Sequence, residues 1–390
     1  MDTVFLLGSG ISIDAGMPDV TKITEQVVSG DGAMLHTNQH FVIDADHPSY
    51  ECRRSQAEPV LELIQDIRCL ATQYFKRERD PNYEEISQVV REIGDSLSGE
   101  YPSPAVLPLI RQLLHRPYSE ASCERLRKLS QLAHDYIRDT VRHMLKEQPV
   151  CVSHLGVIVE ACEELPSVTL ATLNHDLVLE RALEGANLAY TDGFEILDED
   201  VRYWRDAWGD GPRLLKLHGS LDWWSYRHSD EPWRGWDTGR FRGEDPMNPN
   251  RPEIVDVQPD MRPIFLTGTF DKILAYETSV FPDQHFRFHE ALKETERIVV
   301  IGYGFGDKAI NSRLIGWTAS SPKRRLVVCH PDEAKLVKDA RGAIQNNWMN
   351  WQNDGRLNVI AAYVADLNYE AIAKRLPGER PRTKPRPKAA

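Results

Sequence analysis

The chain has 390 residues, 41% hydrophobic and 27% charged, an ordinary globular composition that excludes a wholly disordered chain. Its 47 Lys and Arg against 59 Asp and Glu give a net charge of −12, which argues against wholesale binding to nucleic acid phosphates. No apolar run approaches the ~18 residues that a membrane span requires. The Met1-Asp2-Thr3 start carries neither the basic region nor the cleavage segment of a secretory signal, so a soluble, cytoplasmic protein is expected.

Val4 to Leu7 reads as a short buried strand stopping at Gly8, followed by a turn and a helix broken at Pro18. Residues 29–57 show little periodicity and read as a long loop. From 58 to 165 the pattern is helical. Val60, Leu63, Ile64, Ile67, Leu70, Ala71 and Tyr74 share one face, and Leu126, Leu129, Ala133, Tyr136, Ile137, Val141 and Met144 share another. Shorter helices fit 83–97 and 105–115. Beyond Pro166, β-branched runs at 168–173, 213–217, 264–267, 297–301, 325–329 and 357–362 alternate with helical stretches near 176–184, 308–318, 332–342 and 367–376. With 4–7 they predict seven strands in one sheet.

The fold class that follows is α/β, a Rossmann-like parallel sheet with helices on both faces and an inserted helical subdomain. Residues 1–57 and 166–376 form the α/β domain, and 58–165 the insertion. Six of the nine tryptophans lie between Trp204 and Trp236, and a small subdomain cemented by aromatics is expected there. The tail 377–390 holds five basic residues against Glu379, and its four prolines predict a solvated, disordered segment. The six cysteines, at 52, 69, 123, 151, 162 and 329, form no Cys-x-x-Cys pair. No zinc ribbon is expected, and most should be small core residues, Cys69 and Cys162 among them.

Four strand exits carry chemistry. Gly8-Ser9-Gly10-Ile11-Ser12 lies between a strand and a helix, where backbone N–H groups can meet a phosphate. Position 13, where a dinucleotide dehydrogenase has its third glycine, is Ile13. The second strand ends in Thr172-Leu173-Asn174-His175-Asp176, the third in Lys216-Leu217-His218-Gly219-Ser220, and the one at 297–301 in Gly302-Tyr303-Gly304-Phe305-Gly306-Asp307. In an open parallel sheet ligands bind outside the carboxyl ends of the strands, so the four exits together describe a nucleotide crevice. Singly, each has a structural explanation: a helix cap, a core histidine or a sharp turn.

This set resembles the sirtuins, whose pattern runs Gly-Ala-Gly-Ile-Ser to Gly-Ile-Pro-Asp, then Thr-Gln-Asn-Ile-Asp, then a catalytic His-Gly. Here the corresponding residues are Gly8 to Ser12, Gly16 to Asp19, Thr172 to Asp176 and His218-Gly219. Leu266-Thr267-Gly268-Thr269 looks like the later phosphate-meeting element, and the Gly302–Asp307 run with Asn311 is similar to the bacterial sirtuin-like branch found in antiphage defence proteins. Departures are equally specific. Residues 219–262 contain no cysteine, Leu173 and His175 replace Gln and Ile, and Val20-Thr21 replaces the Phe-Arg whose Phe shields the reacting ribose from water.

The resemblance implies an NAD+ glycohydrolase acting in defence by NAD depletion, with NAD+ as substrate and no zinc. Asn174, His218 and Asp176 would be catalytic. Gly8, Ser9, Gly10, Ser12, Asp19, Gly268, Thr269, Gly302, Tyr303 and Asp307 would bind the nucleotide, the last three on the adenosine side. A homo-oligomer docking a HerA-type ATPase partner is also implied. An NAD-dependent protein deacylase and a non-catalytic NAD or ADP-ribose sensor stand as alternatives.

Overall fold

The computed structural model describes residues 2–36, 39–75, 79–146, 151–196, 201–227, 236–241, 262–269 and 276–376. The expected disordered tail lies outside the described residues. In chain order the strands are β1 (Thr3–Leu7), β2 (Ala33–Leu35), β3 (Phe41–Ile43), β4 (Val168–Thr172), β5 (Gly193–Ile196), β6 (Val201–Ala207), β7 (Arg213–Lys216), β8 (Trp223–Arg227), β9 (Trp236–Phe241), β10 (Arg297–Ile301), β11 (Arg325–Cys329) and β12 (Leu357–Ile360). The helices are α1 (Gly10–Ile13), α2 (Val20–Ser29), α3 (Tyr50–Phe75), α4 (Tyr83–Ser98), α5 (Leu107–Leu113), α6 (Cys123–Lys146), α7 (Gly156–Glu164), α8 (Val178–Gly185), α9 (Phe281–Glu294), α10 (Lys308–Ala319), α11 (Glu333–Asp339), α12 (Ala343–Asn353) and α13 (Tyr369–Ala373).

Contacts divide the chain into two units. One is Met1–Gly16, Pro149–Phe265 and Tyr276–Ala390, and the other is Met17–Gln148 with Leu266–Ala275. The helical unit thus starts well before residue 58, and α7 groups with the sheet.

The first unit holds a six-stranded sheet in the order β12-β11-β10-β1-β4-β7, every neighbouring pair parallel. Val4 and Leu6 share a buried face with Ile298, Val300, Leu326 and Val328, packed against Phe288 of α9, Leu314 of α10 and Trp348 of α12. The alternate set Phe5, Leu7, Val299 and Ile301 is just as buried. A strand buried on both faces reads as a continuous apolar run rather than an alternation, which is why Thr-Val-Phe-Leu-Leu forms the centre of a parallel sheet. The chain moves outward from β1 through β4 to β7, returns to β10 on the other side of β1, and continues to β12. This is the doubly wound Rossmann order, and its switch point lies between β1 and β10.

The expected seventh strand, 264–267, does not join this sheet. Phe265 makes an isolated antiparallel bridge with Gly219, the Ile264 carbonyl accepts from Ser220 N, and Ile264 N donates to Trp223 O. The turn after β7 therefore occupies the backbone groups a ladder would need. A second sheet, β5-β6-β9-β8, is antiparallel. Phe194 meets Trp204 edge-on at 5.2 Å and Trp223 at 5.3 Å between ring centroids, so aromatics do pack this subdomain. Part of the Trp-rich region, including 228–235 and 242–261, lies outside the described residues.

The helical unit packs α4 and α6 together, with α2, α3 and a β2–β3 hairpin beside them. Residues 29–57, expected as a loop, hold that hairpin and the first turns of α3. Three-residue strands carry too little periodicity to be read from sequence; tertiary contacts form them. Phe41 stacks edge-on against Tyr136 at 5.2 Å, and its amide donates to buried Asp139 Oδ2 at 2.8 Å. The cysteine expectation also changes: Cys329 is buried, whereas Cys69 is exposed and Cys162 half-buried. Cys69 follows core residue Ile67 by two positions, which is about 200° around a helix. Among the described residues no helix is long and apolar enough to cross a membrane.

Candidate active site

Three glycines set the switch point. The Gly8 amide donates to Ile301 O at 3.1 Å and the Gly10 amide to Gly302 O at 2.9 Å, so the β1 and β10 exits are stitched backbone to backbone. Gly302 has φ +67°, and a Cβ there would sit 2.6 Å from Ile11 N and 2.8 Å from Gly10 C. Neither the conformation nor the space admits another residue. Gly302→Ala is therefore expected to lower the unfolding free energy by about 2 kcal/mol or more. Denaturant titration checks this against Gly304→Ala, where a Cβ meets nothing within 4 Å.

This stitching corrects the expectation of free N–H groups at the opening loop. Besides Gly8 and Gly10, Ile11 N donates to Gly8 O and Ser12 N to Ser9 O, and α1 is a four-residue turn. The loop instead receives a side chain. Asn174, at the β4 exit, donates through Nδ2 to Gly8 O at 3.1 Å and to Ser12 Oγ at 3.0 Å. Both amide hydrogens are engaged within the first unit, which leaves Oδ1 as the atom that can accept from a substrate.

Asp176 accepts from Val178 N at 3.1 Å, opening α8. Its carbonyl receives Lys216 Nζ at 2.5 Å, and the same ammonium pairs with Glu180 at 2.7 Å. Around it lies a buried ion network. Arg240 bonds Asp222 and Asp192, and Ser220 Oγ donates to Asp222. Burial raises the Glu180 carboxyl, an effect that Lys216 and Arg240 oppose. The network ties the β4 exit to β7, two residues before His218.

His218 is 4% exposed. Its Nε2 lies 3.2 Å from Asp307 Oδ2 and 3.2 Å from the Tyr276 hydroxyl. Asp307 caps α10, its Oδ1 accepting from Ala309 N and Ile310 N. Tyr303 is buried in the sheet core; its hydroxyl accepts from Asp307 N at 3.1 Å and donates to Asn311 Oδ1 at 2.9 Å. Tyr303 and Asp307, expected on the adenosine side, therefore hold the β10–α10 loop, and Asp307 reaches the histidine. Burial pushes the Tyr303 phenol well above its ordinary value.

Two residues here escaped the sequence reading. Tyr276 and His285 stack with ring centroids 3.7 Å apart, and His285 Nε2 donates to Leu217 O at 3.1 Å. The available signal was the spacing Phe281, Phe288, Ala291 and Leu292, the buried face of α9, on which His285 follows Phe281 by one turn. Burial, with Arg313 and His218 as lesser causes, lowers His285 to about 3. The unfolded chain binds that proton near pH 6.5 and the folded one does not. Stability should thus fall as pH drops from about 6.5 toward about 3. Unfolding curves across that window should be flatter for His285→Gln.

Asp19, Gly268 and Thr269 belong to the helical unit. Asp19 caps α2 by accepting from Lys22 N at 2.8 Å. Gly268 has φ +98°, and Thr269 N donates to Gln88 Oε1 of α4 at 3.2 Å. Ser9 is exposed. Among the described residues no cluster of three His, Cys, Asp or Glu could hold a metal.

Among solved structures, the chain is similar to a Sir2 homologue mutant in complex with ADP-ribose, at 11% identity and TM-score 0.39 over 96% of this chain and 91% of that one. It is also similar to a Sir2 homologue–NAD complex, at 12% identity and TM-score 0.39 over 96% and 89%. No curated protein matches the chain. Residues 168–352, which hold Asn174, Asp176, His218, Tyr276, His285 and Asp307, match the family described as the SIR2-like domain.

Proposed function

We propose that the protein is an NAD+ glycohydrolase, converting NAD+ and water to nicotinamide and ADP-ribose. The observation that carries this reading is the convergence at the Rossmann switch point. Asn174 is held on the β1 loop by Gly8 and Ser12, and His218 stands against Asp307 of the β10 loop. Such a crevice suits a dinucleotide, and the groups standing in it suit N-glycosyl cleavage rather than hydride transfer.

The nicotinamide–ribose bond breaks with its electron pair returning to the pyridinium nitrogen, which leaves an oxocarbenium-like ribose. Catalysis then requires an oriented leaving group and a positioned water. In this reading Asp176 binds the nicotinamide carboxamide and Asn174 Oδ1 holds the water or a ribose hydroxyl. His218 takes the proton as a base near neutral pH. The Gly8–Ser12 and Gly302 loops line the nucleotide.

The sirtuin resemblance extends the proposal to defence by NAD depletion, in a homo-oligomer gated by a HerA-type ATPase. The replacement of the ribose-shielding Phe by Val20-Thr21 favours water over acyl-lysine as the acceptor. The test is chromatographic detection of nicotinamide and ADP-ribose from NAD+, with the chain alone and with a candidate ATPase. Release in either condition supports the reading, and silence in both removes it in favour of a sensor.

A further inference from the structure

Asp307 does two things at once. One carboxylate oxygen caps α10, while the other lies 3.2 Å from His218 Nε2 and accepts from the Tyr276 hydroxyl at 3.4 Å. Both oxygens are thereby fixed by α10 and by the loop, which Tyr303 holds by accepting from the Asp307 amide. A carboxylate so placed cannot rotate away from the imidazole without uncapping the helix.

The acceptor at Nε2 decides the tautomer. A neutral imidazole carries one N–H and one basic nitrogen, and the hydrogen bond at one nitrogen selects the role of the other. We propose that Asp307 is the positioning residue of His218: it keeps the proton on Nε2, so that Nδ1 is the base, and it stabilises the imidazolium once Nδ1 is protonated. Tyr276 completes the clamp, and His285 holds the Tyr276 ring by stacking against it.

The proposal rests on His218 being the base of the reaction proposed above. The C–N bond breaks with its electrons going to nicotinamide, and a water oxygen bonds to the ribose carbon. The water proton passes to Nδ1 and then to solvent. Among the described residues, the ionisable groups around His218 include Asp307 on the β10 loop, Tyr276 before α9, His285 on α9 behind Tyr276, and His175 at the β4 exit, 6.3 Å between rings. Arg313 of α10 bonds the His285 carbonyl. Asp307 supplies a carboxylate to this group and joins His218 to the start of α10.

The test uses the full chain with 13C-labelled histidine, His218 being assigned by its loss in His218→Gln. Asp307→Asn removes the charge and keeps a helix-capping oxygen, since Asn and Asp cap equally well. The His218 titration midpoint should fall by about one pH unit or more, with an unchanged melting temperature. The acid limb of the rate profile for nicotinamide release should move with it. Tyr276→Phe should shift the midpoint less, and Asp307→Glu should restore part of it. A His218 midpoint unmoved in Asp307→Asn overturns the proposal. If Asp307→Asn does not fold, an unmoved midpoint in both Asp307→Ser and Tyr276→Phe overturns it. The titration needs no turnover. A chain inactive on NAD+ whose His218 midpoint still shifts would sink the glycohydrolase reading and leave the Asp307–His218 coupling standing.

Discussion

Replacing His218 with alanine is expected to lower nicotinamide release from NAD+ by about 100- to 10,000-fold, the range that a positioned general base contributes. Imidazole is the side chain here whose ordinary protonation range spans neutral pH, and its Nε2 already has a carboxylate and a phenol against it. Binding should survive better than turnover, because the stitching of the β1 and β10 loops does not pass through His218. Single-turnover kinetics and equilibrium binding of NAD+ separate the two. Equal loss of both in a folded His218→Ala variant would instead make His218 a binding residue. Asn174→Ala should add a structural cost, since it removes the donor to Gly8 O and Ser12 Oγ.

The second large effect is on stability. Lys216→Met is expected to cost about 3–5 kcal/mol, the usual penalty for removing one partner of a buried ion pair. Lys216 and Glu180 are 3% and 2% exposed; the ammonium bonds Glu180 Oε1, and Oε2 has no hydrogen-bond partner among the described residues. Without the ammonium, the carboxylate faces burial that already raises it, and the Asp176 carbonyl loses its donor. The double variant Lys216→Met/Glu180→Met should recover most of the loss, because an apolar pair leaves no uncompensated charge. Urea unfolding of the two single variants and the double variant measures this directly. A double variant as unstable as Lys216→Met would place the cost in packing rather than in charge.

Much of the sheet was legible in the chain. Val4–Leu7, Val168–Thr172 and Arg297–Ile301 are apolar runs bounded by polar or glycine exits, and a run buried on both faces survives any detail of its surroundings. The long helices were legible for a similar reason. Leu126 to Val141 repeats its apolar positions often enough for α6 to be read from spacing alone. The short elements were not. Residues 33–35 and 41–43 carry too few positions to show a period, and Phe265 has strand-like neighbours while its pairing is set by Gly219.

Asn174, His218 and the two glycine-rich exits stand out in the sequence because strand ends concentrate chemistry on one edge of a parallel sheet. Their roles were less visible. Gly8 and Gly10 appear in the sequence as a phosphate cradle and Gly302 on the adenosine side, whereas in the fold the three let two loops approach within backbone contact. Asp307 lies 89 positions after His218 in the chain, and no spacing rule joins an N-cap to a histidine on a different strand.

The sequence by itself determined the parallel α/β class, the edge at which the polar residues gather and the candidate base, because burial pattern and strand-end chemistry are local properties. Only the tertiary structure decided the strand order, the Asn174–Ser12 and His218–Asp307 partnerships and the entry of Tyr276 and His285. Each of these depends on segments far apart in the chain being brought within hydrogen-bond reach.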